Sequence, residues 1–192
     1  EKVKHDFHQW SFDNVFHFNE LKDWQERNQK ILLKQNSSLD FSYISELKID
    51  GLKVILTYID GEFIRGATRG DGREKMSVTV TGGAWIKKSD LTKINHGKEK
   101  NNLPKYANTR NLAAGTLRQL DTKIVANRNL QVFAYDIDGG NFKTQKEELE
   151  FLRENNFLVN PYSKFCKNLN DIENMYKVWK KKRDNGEYGI DG

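Results

Sequence analysis

Apolar and polar positions change period several times along the chain. Within Glu20 to Leu33 the apolar residues at 21, 24, 31 and 32 make an imperfect helical stripe with Asn19 as its cap. Phe41, Tyr43, Leu47 and Ile49 then share one parity, as in a half-buried strand, and Val54 to Ile59 is a β-rich run. Asp60-Gly61 reads as a tight hairpin turn into Glu62 to Arg65. Two more β-type stretches follow, Ser77 to Thr81 leading into Gly82 to Ile86, and Leu130 to Asp136. Between them Asn108 to Leu120, rich in Ala, Leu, Arg and Gln, predicts a helix that carries Gly115 as an interior penalty. Thr144-Gln145-Lys146-Glu147 is a capping box opening a helix to about Glu154. Asn170 is expected to cap a last helix with Ile172, Met175, Tyr176 and Trp179 on one face.

Strands joined by hairpin-type turns and interspersed irregularly with helices predict an α+β domain on mostly antiparallel sheets. A doubly wound nucleotide-binding fold is disfavoured, because no G-x-G-x-x-G follows a strand and no G-x-x-x-x-G-K-[ST] occurs. With 192 residues, 36% hydrophobic, the chain can build one substantial core or two small ones. Two prolines and no repetitive tract leave no candidate linker. The single cysteine, Cys166, excludes an internal disulfide and a multi-thiolate zinc site, which suits a reducing cytosol. No apolar run reaches membrane-spanning length and the first residues are charged, so a cytoplasmic protein is expected. The net charge of +5 is compatible with a polyanionic partner, but a solvated lysine-rich surface explains it as well, since both signs are abundant.

Three runs could carry chemistry. Glu46-Leu47-Lys48-Ile49-Asp50-Gly51 sets a lysine between two carboxylates, and neighbouring charges can position such a lysine or free it as a nucleophile. The same spacing fits an alternating-charge surface strand. Gly66 to Gly72 is a glycine-rich turn around Arg69, able either to bring backbone and a guanidinium against a phosphate or to serve as a plain flexible connection. On a helix Arg110 and Arg118 lie about 80° apart, so both can face one groove, although solvated surface arginines read the same way. His5, His8 and His17 suggest surface histidines more than a metal site, and Trp24 and Trp179 read as helix packing residues.

Together, and in this order, the three runs resemble the NAD-dependent DNA ligases. Lys-x-Asp-Gly alone also occurs in ATP-dependent ligases and RNA capping enzymes, whereas Thr68-Arg69-Gly70-Asp71-Gly72 and the run from Arg110 to Asp121 are similar to the NAD-using branch. Ser11-Phe12-Asp13-Asn14 and Ile190-Asp191-Gly192 resemble two flanking motifs of the family. The resemblance spans about Trp10 to Gly192 and implies one adenylation domain over 1–192, its last motif incomplete. It also implies the ATP-grasp-like nucleotidyltransferase fold of DNA ligases and capping enzymes, with mostly antiparallel sheets and flanking helices. By resemblance Lys48 attacks the α-phosphate of NAD, releases nicotinamide mononucleotide and becomes lysyl-AMP, with Asp50 assisting and Mg²⁺ as the expected metal. Glu46 contacts the adenine. Ser11, Phe12, Arg69, Tyr135, Arg110 and Asp191 serve the nucleotide, and Arg118 with Arg110 serves DNA phosphates. The implied substrate is nicked double-stranded DNA, in replication and repair, and the implied partners are the other ligase domains or subunits.

The sequence departs from the family at Thr79-Val80-Thr81-Gly82-Gly83, where relatives carry Glu-x-Arg-Gly-Glu, and the segment from Gly72 to Ser77 is shorter than usual. These departures define the alternative, a catalytically impaired lobe that binds DNA or nucleotide.

Overall fold

The computed structural model describes residues 13–34, 41–68 and 77–191. Its elements run α1 (Phe18–Lys34), β1 (Tyr43–Ser45), β2 (Leu52–Ile59), β3 (Glu62–Ala67), β4 (Ser77–Trp85), α2 (Lys88–Lys100), α3 (Thr109–Leu117), α4 (Thr122–Ala126), β5 (Gln131–Asp138), α5 (Gln145–Glu154), β6 (Lys164–Cys166) and α6 (Leu169–Lys182). A four-stranded sheet, in the order β3-β2-β4-β5, is antiparallel throughout, and β1 pairs with β6 in a second antiparallel sheet. The α+β class with antiparallel sheets and flanking helices is therefore as expected.

The hairpin turn is where the sequence puts it. Asp60 and Gly61 both take positive φ, 51° and 84°, the backbone that a two-residue turn between right-twisted strands requires. The capping box also forms, with Thr144 Oγ1 accepting from Glu147 N at 3.3 Å. Its return bond, however, runs from Lys143 N to the Glu147 carboxylate at 2.7 Å. Arg110 and Arg118 are placed by α3, whose Asn108 caps through Oδ1 to Asn111 N; Arg118 is the residue that ends the helix.

Several expectations shift. Asn19 lies inside α1, because the Glu20 carboxylate accepts from Phe16 N and His17 N and starts the helix earlier. Trp24 and Ile31 are exposed, and the half-buried face is Leu21, Gln25, Asn28 and Leu32. The last helix is capped by Asn168 rather than Asn170, and Tyr176 points to solvent while Met175 is buried. The strand read from 41 to 49 divides: β1 pairs with β6, Ile49 bridges Ile190, and residues 46–48 run between these pairings.

Helix α2 was not legible. It has few apolar residues, an interior glycine and no side-chain cap at Lys87, and it is held by tertiary contacts. Leu91 and Ile94 pack on Ile86 and Leu112, and Asn95 exchanges two hydrogen bonds with the Tyr106 backbone, both 2.8 Å. The short α4 and β6 were likewise unread.

Two packed clusters position the site. Val80, Ala134, Ile137, Leu149, Leu152 and Val159 join α5 to one face of the sheet. Trp85, Phe133 and Tyr188 form an aromatic triad with centroids 5.0 to 5.5 Å apart, and Leu47, Ile49 and Ile190 pack on it. The lysine-bearing segment thus rests on a stiff aromatic floor.

Candidate active site

Residues 46–53 cross from the small sheet onto the large one, and the close approach of Gly51 to the Ala84 carbonyl lets them do so. A Cβ at position 51 would collide with that backbone oxygen. Beside this crossing lies a cleft of about 1000 Å³. One wall is Glu46 to Ile49. A second is the α3 face, with Arg110, Asn111, Ala114, Leu117 and Arg118. The floor comes from Lys53, Gly83, Phe133, Ala134 and Tyr135.

Lys48 stands at the mouth, its side chain largely exposed, paired with the Asp191 carboxylate. Residues 189–191 reach it by pairing with the lysine segment: Asp50 N donates to Gly189 O at 2.9 Å and Asp191 N to Lys48 O at 2.8 Å. Asp50 turns the other way and accepts from Arg110 Nη1 at 3.3 Å. The geometry therefore brings Lys48, Asp50, Arg110 and Asp191, drawn from three separate parts of the chain, to one lip.

Glu46 sits at the inner end. Burial pushes its carboxyl up to about 7, helped by Asp136 and Glu148, although Gln145 donates to it at 3.4 Å and Arg153 lies near enough to oppose the shift. Gln145 also donates to Tyr135 O at 2.6 Å, so the first turn of α5 ties the strand of Tyr135 to Glu46. The Tyr135 phenol is pushed up to about 12 by its own burial, with Asp136 and Glu46 adding to it, and stays neutral.

Of the residues singled out in the sequence, Glu46, Lys48, Arg110, Arg118 and Tyr135 line the cleft, and Asp50 and Asp191 are ion-paired at its lip. Ser11, Phe12 and Arg69 lie outside the described residues. Sequence reasoning missed Lys53, Asn111 and Asn160, which also line it. Lys53 had a signal, a lone charge inside the apolar run Leu52 to Leu56; Asn160 had none.

The fold and site define an α+β domain built around a cationic cleft with an exposed lysine at its mouth. The family model of the NAD-dependent DNA ligase adenylation domain matches residues 1–81 and 73–192. The DNA ligase of Thermotoga neapolitana is 36% identical over 213 aligned positions, which cover 99% of this chain and 30% of that protein. The DNA ligase of Bacillus cytotoxicus is 38% identical over 215 positions, covering 100% and 32%. The chain belongs to the NAD-dependent DNA ligase adenylation domain family, and it spans about 30% of the length of these relatives. The two matched stretches overlap at 73–81, and the alignments with these relatives are longer than the 192 residues of the chain, so it carries gaps against them.

Proposed function

We propose that this domain has the nucleotidyltransferase fold and transfers adenylate from NAD to Lys48. In that step the neutral Lys48 amine attacks the α-phosphorus and a P–N bond forms. The bond from that phosphorus to the bridging oxygen breaks, and nicotinamide mononucleotide leaves with the oxygen and the electron pair. Asp50 and Asp191, flanking the lysine, are the groups that take up or orient its protons. Arg110 and Arg118 neutralise phosphate charge, and the Glu46 carboxyl, with Tyr135 beside it, faces the adenine. Ser11, Phe12 and Arg69 are assigned to the nucleotide on resemblance alone.

One observation carries the reading: an exposed lysine at the mouth of a cleft with two arginines on one wall and a half-buried carboxyl, raised toward neutrality by that burial, at its inner end. In the longer ligase the lysyl-AMP serves to seal nicks in double-stranded DNA, in replication and repair, with the remaining ligase domains as partners. A cytoplasmic location fits this role; among the described residues no helix is long and apolar enough to cross a membrane.

Magnesium is the family's expected metal. Among the described residues no three His, Cys, Asp or Glu side chains gather as ligands, and Asp50 and Asp191 are each already paired with a cation. The described side chains do not build a magnesium cage; any such ion would depend mainly on nucleotide phosphates and water.

Gly83, where relatives carry a glutamate, favours the second reading of a nucleotide- or DNA-binding lobe without catalysis. Intact mass after incubation with NAD and Mg²⁺, with and without a ligase nicotinamide-binding segment, separates the two. Gain of one adenylate, absent in Lys48→Ala, supports transfer. An unchanged mass in a folded chain leaves the binding lobe.

A further inference from the structure

Lys53 and Gly83 are directly opposed across the β2–β4 ladder, so position 83 and the lysine share one face of the sheet. Both line the cleft. A Cβ built at Gly83 meets nothing within 4 Å, so room is left beside the lysine on the cleft floor. Of the other cations lining the cleft, Lys48 is paired with Asp191 and Arg110 with Asp50, while Arg118, at the end of α3 on the opposite wall, makes no ion pair among the described residues. Among the described residues Lys53 makes no ion pair. Burial and the neighbouring Asp136 push the Asp138 carboxyl up, the charge of Lys53 only partly opposes that rise, and no ion pair joins the two.

A buried or half-buried ammonium without a partner is costly unless an anion arrives. The cleft is suited to a dinucleotide whose pyrophosphate carries two negative charges, and no described cluster of carboxylates recruits a divalent ion to offset them. We propose that Lys53, extending through the space left by Gly83, is the protein's own counter-cation for the pyrophosphate of the dinucleotide, in place of a carboxylate-held metal ion. This rests on the reading of the cleft as a NAD site. A lysine is a compact point charge with three donors, and its stem is long enough to follow a phosphate as the nucleotide settles. The assignment makes Lys53 a binding residue and makes nucleotide uptake by this chain weakly dependent on divalent cations.

The test is calorimetric titration of NAD and of adenosine into the 192-residue chain, in EDTA and in Mg²⁺, with Lys53→Met, Lys53→Arg and the exposed, distant Lys93→Met. The wild type is expected to bind NAD in EDTA to within about threefold of its affinity in Mg²⁺. Lys53→Met should weaken NAD about tenfold or more while leaving adenosine unchanged, a loss typical of one charge-assisted contact. Lys53→Arg should recover most of it, and Lys93→Met should match wild type. NAD affinity unchanged in a folded Lys53→Met chain overturns the role of Lys53 and leaves the NAD site standing. A wild type that binds NAD only in Mg²⁺ overturns the metal-sparing claim. A folded wild type that takes up neither ligand overturns the NAD site and this inference with it.

Discussion

The two sides of the cleft are built on opposite terms. At the lip, charges come in matched pairs: Lys48 with Asp191, Arg110 with Asp50, over an aromatic floor that leaves little freedom. On the sheet, Lys53 stands opposite a glycine with open space beside it. The lip is preorganised before any ligand binds, whereas the sheet side has room and charge in reserve. On the proposed reading of the cleft, a nucleotide competes with the ion pairs of Lys48 and Arg110 at the lip and meets unpaired cations at Lys53 and Arg118.

Neighbouring glycines on β4 give the sharpest way to break this contrast. A Cβ at Gly82 would lie 2.7 Å from Val132 Cγ1 and 2.8 Å from Phe133 O, while Gly83 has nothing within 4 Å. Gly82→Val is expected to cost about 3 kcal/mol or more by overpacking against backbone, and Gly83→Val to stay within about 0.5 kcal/mol of wild type. Urea unfolding of both decides it, and equal losses would refute an open side at 83.

Next in size is the buried carboxyl. Glu46 rises from 4.5 to about 7, so the folded state holds its proton more tightly than the unfolded state. The stability this contributes is complete below about pH 4.5 and is lost as pH rises through about 7. Glu46→Gln keeps the neutral shape, so it should equal wild type near pH 4 and exceed it by on the order of 3 kcal/mol at pH 8. A difference that does not vary between those pH values would contradict the burial of this group.

Thr144→Ala removes the cap of the helix that delivers Gln145 to Glu46 and should cost about 1 kcal/mol by thermal unfolding. Smallest is Asp191→Asn. Both partners of its pair with Lys48 are substantially exposed, so stability should change by about 0.5 kcal/mol or less. Its effect should appear instead in the rate of Lys48 adenylation, read by intact mass. A large loss of stability would mean that the pair, rather than the backbone bonds of residues 189–191, fastens that segment.

Much of the local structure was legible in the sequence, because its causes are local. The β-rich run Val54 to Ile59, the Asp60-Gly61 turn, the Thr144 capping box and the helix expected over Asn108 to Leu120, which forms over Thr109–Leu117, each follow from residues a few positions apart. The three chemistry-bearing runs were legible as motifs for the same reason. Elements stabilised from a distance were not: α2 depends on Tyr106, Ile86 and Leu112, and β1 on a strand more than a hundred residues away. The same divide runs through the site. Spacing along the chain offered Lys48, Asp50 and Arg110 as candidates beside plain surface readings, and only the resemblance to the ligase family singled them out together with Asp191. Only the tertiary structure decided that Asp191 pairs with Lys48, that Asp50 turns to Arg110, and that Lys53 faces Gly83, because pairing partners and strand register are set by how distant segments bury their apolar faces together.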